Sequence, residues 1–208
     1  NVTVFYGFLG TLKIGAVAGT MFSAFGSDAL YDRLENSGAK VLITTTELLP
    51  RLKNIRRKLP ELKHVITVKE LETLLPKQSE DLHCAHTDPT DPAFMLYTSG
   101  TTGKPKGVVH AHQTILSQHL TAKHVLDLKP DDVYWCTADP GWVTGVAYQI
   151  LGTLSNAAST VIYAGRFDPK TWYRIIEKYR VTIWYSAPTA IRMLQAAGDE
   201  LTRFHNLS

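Results

Sequence analysis

The stretch Ala93-Phe-Met-Leu-Tyr97-Thr98-Ser-Gly-Thr-Thr-Gly-Lys-Pro-Lys-Gly107 joins an apolar segment to a loop rich in glycine, hydroxyl groups and lysine. Residues 93–97 form a short apolar run, which predicts a buried strand. Residues 98–107 hold three glycines, four hydroxyl side chains and two lysines. Glycines let the backbone turn its N–H groups toward an anion, and lysines add positive charge. The pattern predicts a polyphosphate-binding loop, with a flexible surface hairpin as the alternative.

The chain on the C-terminal side of this loop alternates between helical and strand-like patterns. Asp168 and Pro169 supply an N-cap and a first-turn proline for one of the helices. Helices are predicted at 114–126, at 145–154, from 169 to 179 and from 188 onward, and strands at 133–136, 160–163 and 181–185.

The N-terminal side opens with residues 4–25, which are apolar and long enough to cross a bilayer. Lys13 and four glycines interrupt this segment, so we expect a helix, a turn and a short inner strand at 15–19 instead of a membrane span. Beyond it the pattern predicts a helix capped by Ser27, a strand at 40–45, a basic amphipathic helix at 47–59, a strand at 65–68 and a polar connection at 75–92.

Strands separated by helical stretches indicate an α/β fold with a mostly parallel, helix-covered sheet. In such a fold the loop at 98–107 is not a Walker A motif, because Gly100 and Gly103 are too close together and Lys104 precedes a proline. It also lacks the G-x-G-x-x-G spacing of a dinucleotide fingerprint.

The loop does match, at every position, the signature [ST]-S-G-[ST]-T-G-x-P-K-G, so the chain resembles the adenylate-forming (acyl-activating) enzymes. Segments 12–17 and 36–44 resemble the same family. The resemblance implies that residues 1–208 form part of the family's large N-terminal α/β domain, without its mobile C-terminal domain. It also implies that the phosphates of ATP, with Mg²⁺ spanning phosphate oxygens, bind at this loop through Thr98, Ser99, Gly100, Thr101, Thr102, Gly103, Lys104, Lys106 and Gly107.

Two further segments, 136–145 and 184–192, resemble the acetyl-CoA synthetases within this family. These enzymes join acetate to ATP, release pyrophosphate and pass the acetyl group from acetyl-AMP to CoA. The resemblance places Val143 and Thr144 at a small acyl pocket, and Thr144, Asp168 and Ala187 near CoA. Trp142 is either a wall of the same pocket or a core residue, and the neighbouring Pro140, Gly141 and Gly145 favour the pocket wall. Asp168 has a second interpretation as a plain N-cap.

The chemistry of adenylation needs no nucleophile from the protein, so we assign none, and we expect residues 1–208 alone to have no complete catalytic set and no ligase turnover. Two other functions remain open. One is a medium-chain acyl- or aryl-CoA ligase with a roomier pocket. The other is a short, non-catalytic nucleotide-binding protein.

Composition narrows the classes of partner. A hydrophobic fraction of 44% is typical of globular proteins. The net charge of +3 is too small to indicate a nucleic-acid-binding surface. Two cysteines, Cys84 and Cys136, are too few for a disulfide framework and suit a reducing compartment, so we expect a cytoplasmic protein. Its small-molecule substrates, acetate, ATP and CoA, are what the resemblance implies. His83 and His86 flank Cys84, but without a second cluster they do not predict a metal site.

Overall fold

The structure is a computed structural model that describes residues 2–98 and 103–205. The chain divides into two compact units. One comprises Thr3–His112, and the other comprises Gln113–Ser208 together with Asn1–Val2.

The first unit carries the predicted phosphate loop between its last two strands. Its elements, in chain order, are α1 (Thr3–Lys13), β1 (Ala18–Gly19), α2 (Ser27–Ser37), β2 (Val41–Thr44), 3₁₀ helices at Thr46–Leu52 and Arg56–Lys58, β3 (His64–Thr67), α3 (Val68–Leu74), a 3₁₀ turn at Leu75–Lys77, β4 (Pro92–Thr98) and β5 (Lys106–Ala111).

Two sheets are formed by the described residues of this unit. In one, β4 lies between β1, to which it is parallel, and β5, to which it is antiparallel. In the other, β2 and β3 pair in parallel. Beneath the second sheet lies a buried cluster of Leu34, Leu52, Ile55, Leu59 and Leu62.

The second unit is built on a parallel three-stranded sheet. Its elements are α4 (Thr114–His124), β6 (Val133–Cys136), a π-helix at Gly145–Gly152 that continues into α5 (Thr153–Ser155), β7 (Ser159–Thr160), α6 (Pro169–Tyr179), β8 (Ile183–Tyr185), α7 (Pro188–Ala196) and a 3₁₀ helix at Asp199–Phe204. The strand order is β7-β6-β8.

Successive side chains of a strand point to opposite sides, and both sides of β6 are buried. Tyr134 and Cys136 join one apolar cluster, and Trp135 joins the other with Trp172 of α6 and Leu194 of α7. Helices on both sides of a parallel strand explain why residues 133–136 read as a short continuous apolar run.

The structure confirms the α/β fold class, since four of the strand pairs in the described residues are parallel and only β4–β5 is antiparallel. Residues 4–25 form α1, a turn with Gly15 at φ 70°, and β1, as expected. None of the helices described has the length and apolar character that a bilayer crossing requires.

The first unit departs from the predicted local structure at three places. The helix at 47–59 is replaced by two 3₁₀ segments, because Pro50 lacks the N–H that an α-helix interior needs. Gly26, with extended backbone, occupies the N-cap of α2, and Ser27 is already helical. The connection at 75–92 is preceded by an unpredicted helix, α3, which starts with a capping box between Thr67 and Glu70.

Candidate functional site

The predicted phosphate loop connects two strands that run side by side. Thr98, at the end of β4, lies opposite Lys106 of β5, and Tyr97 lies opposite Gly107. Three residues assigned to the loop from sequence therefore belong to the strands, because the β4–β5 ladder extends further than the apolar run indicated. Ser99, Gly100, Thr101 and Thr102 lie outside the described residues. The described part shows a loop whose two ends are held together by backbone hydrogen bonds.

Tyr97 anchors the start of the loop to α2. Its hydroxyl donates to the Asn36 side-chain oxygen at 2.9 Å and lies 3.1 Å from the Arg33 carbonyl oxygen. Burial raises the pKa of the Tyr97 phenol, so the group remains protonated and able to donate. The end of β4 is thereby fixed against the helix.

At two positions of the loop, Gly103 and Gly107, the structure explains why the residue is a glycine. Gly103 has φ 90°, a conformation that side-chain-bearing residues rarely adopt. A Cβ on Gly107 would lie 2.8 Å from the Met95 sulfur and 3.3 Å from the Tyr97 ring. Glycine is therefore favoured at Gly103 by its backbone conformation, and at Gly107 because a side chain would require Met95 and Tyr97 to shift.

The loop's cations face solvent. Lys104 and Lys106 are both exposed, and Lys104 borders a small groove of about 150 Å³ together with Pro105. Asp32, Glu35 and Asn36 of α2 line the other side of this groove. Positive charge at the end of a glycine-rich turn is suited to a polyanion, and phosphate binding at this loop stays a prediction.

In the second unit, the predicted acyl-pocket residues follow β6 in a tightly closed turn. The Trp142 amide donates to the Asp139 carbonyl oxygen at 2.9 Å, and the Gly141 amide donates to the Asp139 carboxylate at 2.7 Å. Trp142 and Val143 are 52% and 56% exposed, so their side chains are available to contact a ligand. Thr144 is half-buried at the start of the helix.

The helix after this turn is π-helical from Gly145 to Gly152, which the sequence did not indicate. Gln149, only 4% exposed, donates from its side-chain nitrogen to the Cys136 carbonyl oxygen at 3.2 Å. This bond links the π-helix to the carboxyl end of β6. π-Helical segments occur frequently at functional sites, so the feature agrees with the predicted location of the pocket.

Asp168 and Ala187 both cap helices. The Asp168 carboxylate accepts from the Thr171 amide at 2.8 Å, and hydrogen bonding to Thr171 lowers the pKa of this carboxyl. The N-cap interpretation of Asp168 is therefore confirmed. Ala187 is exposed at the N-cap of α7, and its carbonyl accepts from the amides of Ala190 and Ile191.

The structure brings two of these predicted segments together at one sheet edge. β6 and β8 are parallel neighbours, with Cys136 opposite Tyr185, so the segments after them leave the sheet side by side. The Thr137 and Ser186 hydroxyls form a hydrogen bond of 2.7 Å across this gap. No sequence pattern indicates this pair, because its members are distant along the chain.

His110 and the two cysteines have defined environments in the structure. His110 of β5 stacks on Phe94 with ring centroids 4.5 Å apart, and burial lowers the pKa of its imidazole. Cys84 is exposed and Cys136 is buried, and neither is in a disulfide. Within the described ranges, no three His, Cys, Asp or Glu side chains are grouped closely enough to hold a metal ion.

Comparison with known proteins gives consistent matches over the chain. The family described as "AMP-binding enzyme" matches residues 1–207. An acetyl-coenzyme A synthetase from Bacillus subtilis is 48% identical over 96% of this chain and 36% of that protein, and one from Methanothrix thermoacetophila is 36% identical over 96% and 34%. The chain thus spans about a third of the length of these relatives.

Solved structures match the backbone as well. An acyl-CoA synthetase from Brucella canis superposes with a TM-score of 0.89 at 29% identity, covering 97% of this chain and 38% of that one. An anthranilate CoA ligase in complex with anthranoyl-AMP also gives a TM-score of 0.89, at 28% identity, covering 100% of this chain and 41% of that one.

Proposed function

The chain belongs to the AMP-binding enzyme family, and we propose that it is part of an AMP-forming acid–thiol ligase that activates acetate and transfers the acetyl group to CoA. The observation that carries this proposal is the 48% identity to an acetyl-coenzyme A synthetase over 96% of the chain. That match spans both the loop after β4 and the segments after β6 and β8. In the same proposal, residues 1–208 are part of the large N-terminal domain of such an enzyme.

In the first half-reaction, a carboxylate oxygen of acetate attacks the α-phosphorus of ATP, and the bond to pyrophosphate breaks. Negative charge accumulates on the phosphates as this happens, so catalysis depends on positioning and charge stabilisation. The loop from Thr98 to Gly107 would bind the β- and γ-phosphates with backbone N–H groups, hydroxyls and the ammonium groups of Lys104 and Lys106. The paired ends of β4 and β5 would hold this loop in place.

In the second half-reaction, the thiol of CoA attacks the acetyl carbonyl carbon, and AMP leaves. Trp142, Val143 and Thr144 would form the wall of a small acyl pocket. Thr144 and Ala187 would contact CoA where the segments after β6 and β8 run together. Asp168 would approach CoA through the exposed start of α6.

Mg²⁺ would accompany ATP, bound mainly by phosphate oxygens. The described residues do not group three metal-ligating side chains, so they do not fit a dedicated metal cage, and no step is assigned to a protein-held ion. We further propose that the enzyme acts in the cytoplasm on small molecules, which suits its two unpaired cysteines.

A second candidate is an aryl- or medium-chain acyl-CoA ligase, favoured by the backbone match to an anthranilate CoA ligase. The two differ in the volume the acyl pocket must provide. Steady-state kinetics of the complete natural polypeptide with acetate, propionate, butyrate and anthranilate would separate them. We expect kcat/KM to be highest for acetate and to fall with chain length.

A preference for butyrate or anthranilate would overturn the acetate proposal in favour of the second candidate. Absence of acid-dependent ATP–pyrophosphate exchange with all four acids would reject both ligases, and would leave nucleotide binding without turnover. Direct ATP binding, measured by calorimetry on the same polypeptide, would then test that third function.

A further inference from the structure

We propose that Thr137 and Ser186 form a positioning pair, which fixes the acyl-pocket segment at residues 142–144 relative to Ala187. The proposal rests on the proposed function, and it adds two residues that the sequence did not single out. Neither residue is assigned a contact with substrate.

The pair lies where the backbone ladder of β6 and β8 ends. Cys136 and Tyr185 are the last residues in register, and the Thr137 amide donates to the Tyr185 carbonyl oxygen at 3.0 Å. One residue further, the two hydroxyls meet at 2.7 Å. A side-chain hydrogen bond thus continues the connection between the two strands beyond their last residues.

The segment from Thr137 to the predicted acyl pocket has little freedom to absorb a displacement. Asp139 closes a turn through bonds to the amides of Gly141 and Trp142. Val146 then donates its amide to the Trp142 carbonyl oxygen at 3.2 Å. A shift at Thr137 would therefore move Trp142 and the residues after it.

In the segment after β8, Ser186 directly precedes Ala187, the N-cap of α7. In open α/β sheets, ligands bind outside the carboxyl ends of the strands. The hydroxyl pair lies at that end of β6 and β8, between the segment proposed to hold the acyl group and the one proposed to contact CoA. Its position suits alignment of the CoA thiol with the acyl-adenylate.

The same two strands carry a matched control at their opposite ends. The Thr182 hydroxyl, just before β8, donates to the Asp132 carboxylate at 2.7 Å and accepts from the Val133 amide at 3.0 Å. This contact joins the same strands through the same type of side chain. Its loss should cost stability without disturbing the carboxyl-end segments.

The experiment uses the complete natural polypeptide and the variants Thr137→Val, Ser186→Ala, their double mutant, and Thr182→Val. Acetate-dependent ATP–pyrophosphate exchange reports the first half-reaction, and the overall rate against CoA concentration reports the second. We expect Thr137→Val and Ser186→Ala each to lower kcat/KM for CoA by about three- to tenfold, the range for one net hydrogen bond. At saturating acetate, ATP–pyrophosphate exchange should change by less than about twofold, since the loop proposed to bind ATP is untouched, whereas KM for acetate should rise if residues 142–144 shift.

The double mutant should be no worse than either single variant, because the two hydroxyls act as one unit. Thr137→Ser, which keeps the hydroxyl, should restore kcat/KM for CoA. Thr182→Val should lower the Tm without a change in the ratio of the two half-reactions. Equal loss in both half-reactions, a matching effect of Thr182→Val, or no effect of Thr137→Val would overturn the pair's positioning role.

Failure of the proposed function is a separate result. If the unmodified polypeptide forms no acetyl-CoA, the ligase proposal fails. Amide hydrogen exchange then tests, independently of activity, whether the Thr137–Ser186 pair holds the two segments in place. Thr137→Val should speed amide hydrogen exchange at residues 187–191, and Ser186→Ala should speed amide hydrogen exchange at residues 138–144. Unchanged amide hydrogen exchange in the segment opposite each substitution would reject the positioning role of the pair.

Discussion

Gly145 lies directly against the backbone of Asp139. A Cβ built on Gly145 would stand 2.5 Å from the Asp139 carbonyl oxygen and 2.7 Å from the Pro140 Cα. Both neighbours are backbone atoms in a turn that is closed by hydrogen bonds, so they have little room to withdraw. The absence of a side chain at Gly145 is therefore what allows the turn to pack on the start of the π-helix.

Replacing this glycine with alanine should be destabilising. We expect Gly145→Ala to cost about 1–3 kcal/mol of unfolding free energy, the usual range for overpacking, and to raise KM for the acid substrate by displacing residues 142–144. Gly10→Ala is the control, because nothing lies within 4 Å of its Cβ position in α1 and alanine is favoured there by about 0.5–1 kcal/mol. Denaturant titration checks both. A Gly145→Ala variant as stable as the unmodified protein would show that the turn can yield.

The exposed lysines of the phosphate loop should control affinity for ATP. Lys104→Ala and Lys106→Ala should each raise KM for ATP by about tenfold or more, since a hydrogen bond to a charged group contributes roughly 1.5–3 kcal/mol. Lys53→Ala, which removes an exposed lysine elsewhere in the same unit, serves as the control for net charge. Equal effects of all three substitutions would mean that only overall charge attracts the nucleotide.

Asp168 can be tested in its two roles separately. Hydrogen bonding to Thr171 lowers the pKa of the Asp168 carboxyl, so its stabilisation is present above the ordinary value of 3.8 and is lost as pH falls through the native pKa. Asp168→Ala should lower the Tm at neutral pH, whereas Asp168→Asn should keep the cap. Thermal melts across the acid range check this.

The same two variants separate capping from CoA binding. A rise in KM for CoA in Asp168→Asn, with an unchanged Tm, would support a CoA contact that needs the charge. An unchanged KM for CoA in both variants would leave Asp168 as an N-cap alone.

His110 should resist protonation in the native state. Burial beside Phe94 lowers the pKa of His110 below its ordinary value of 6.5, so the unfolded chain takes up the proton first as pH falls. Stability linked to this residue is therefore full above pH 6.5 and declines below it. We expect an NMR titration midpoint below 6.5, and a flatter Tm between about pH 7.5 and 5.5 in His110→Phe. A midpoint at or above 6.5 would contradict this prediction.

Much of the fold could be predicted wherever local signals and tertiary packing agree. Asp168 and Pro169 specified the start of α6, and the apolar run at 133–136 specified a strand buried on both faces. At residues 47–59 the apolar spacing resembled a helix, yet the proline at 50 favoured 3₁₀ turns that still bury Leu52, Ile55 and Leu59. Spacing reports which side chains are buried more reliably than which hydrogen bonds the backbone makes.

The candidate site was predictable to a similar degree. A phosphate-binding role for the loop after β4 could be predicted because its glycines, hydroxyls and lysines are contiguous in the sequence, and it stays a prediction. The Thr137–Ser186 pair was missed because it depends on the register of two strands whose residues are far apart in the chain. The π-helix was missed because apolar residues at 145–152 are equally compatible with an α-helix.

The π-helix at Gly145–Gly152 also marks where this unit tolerates a change in chain length. Each π-helical hydrogen bond spans one residue more than an α-helical one, so the segment holds a residue in excess. A one-residue deletion there would tighten the helix and leave β6 and β7 in register, whereas a deletion inside β6 would turn the side chains beyond it to the opposite face.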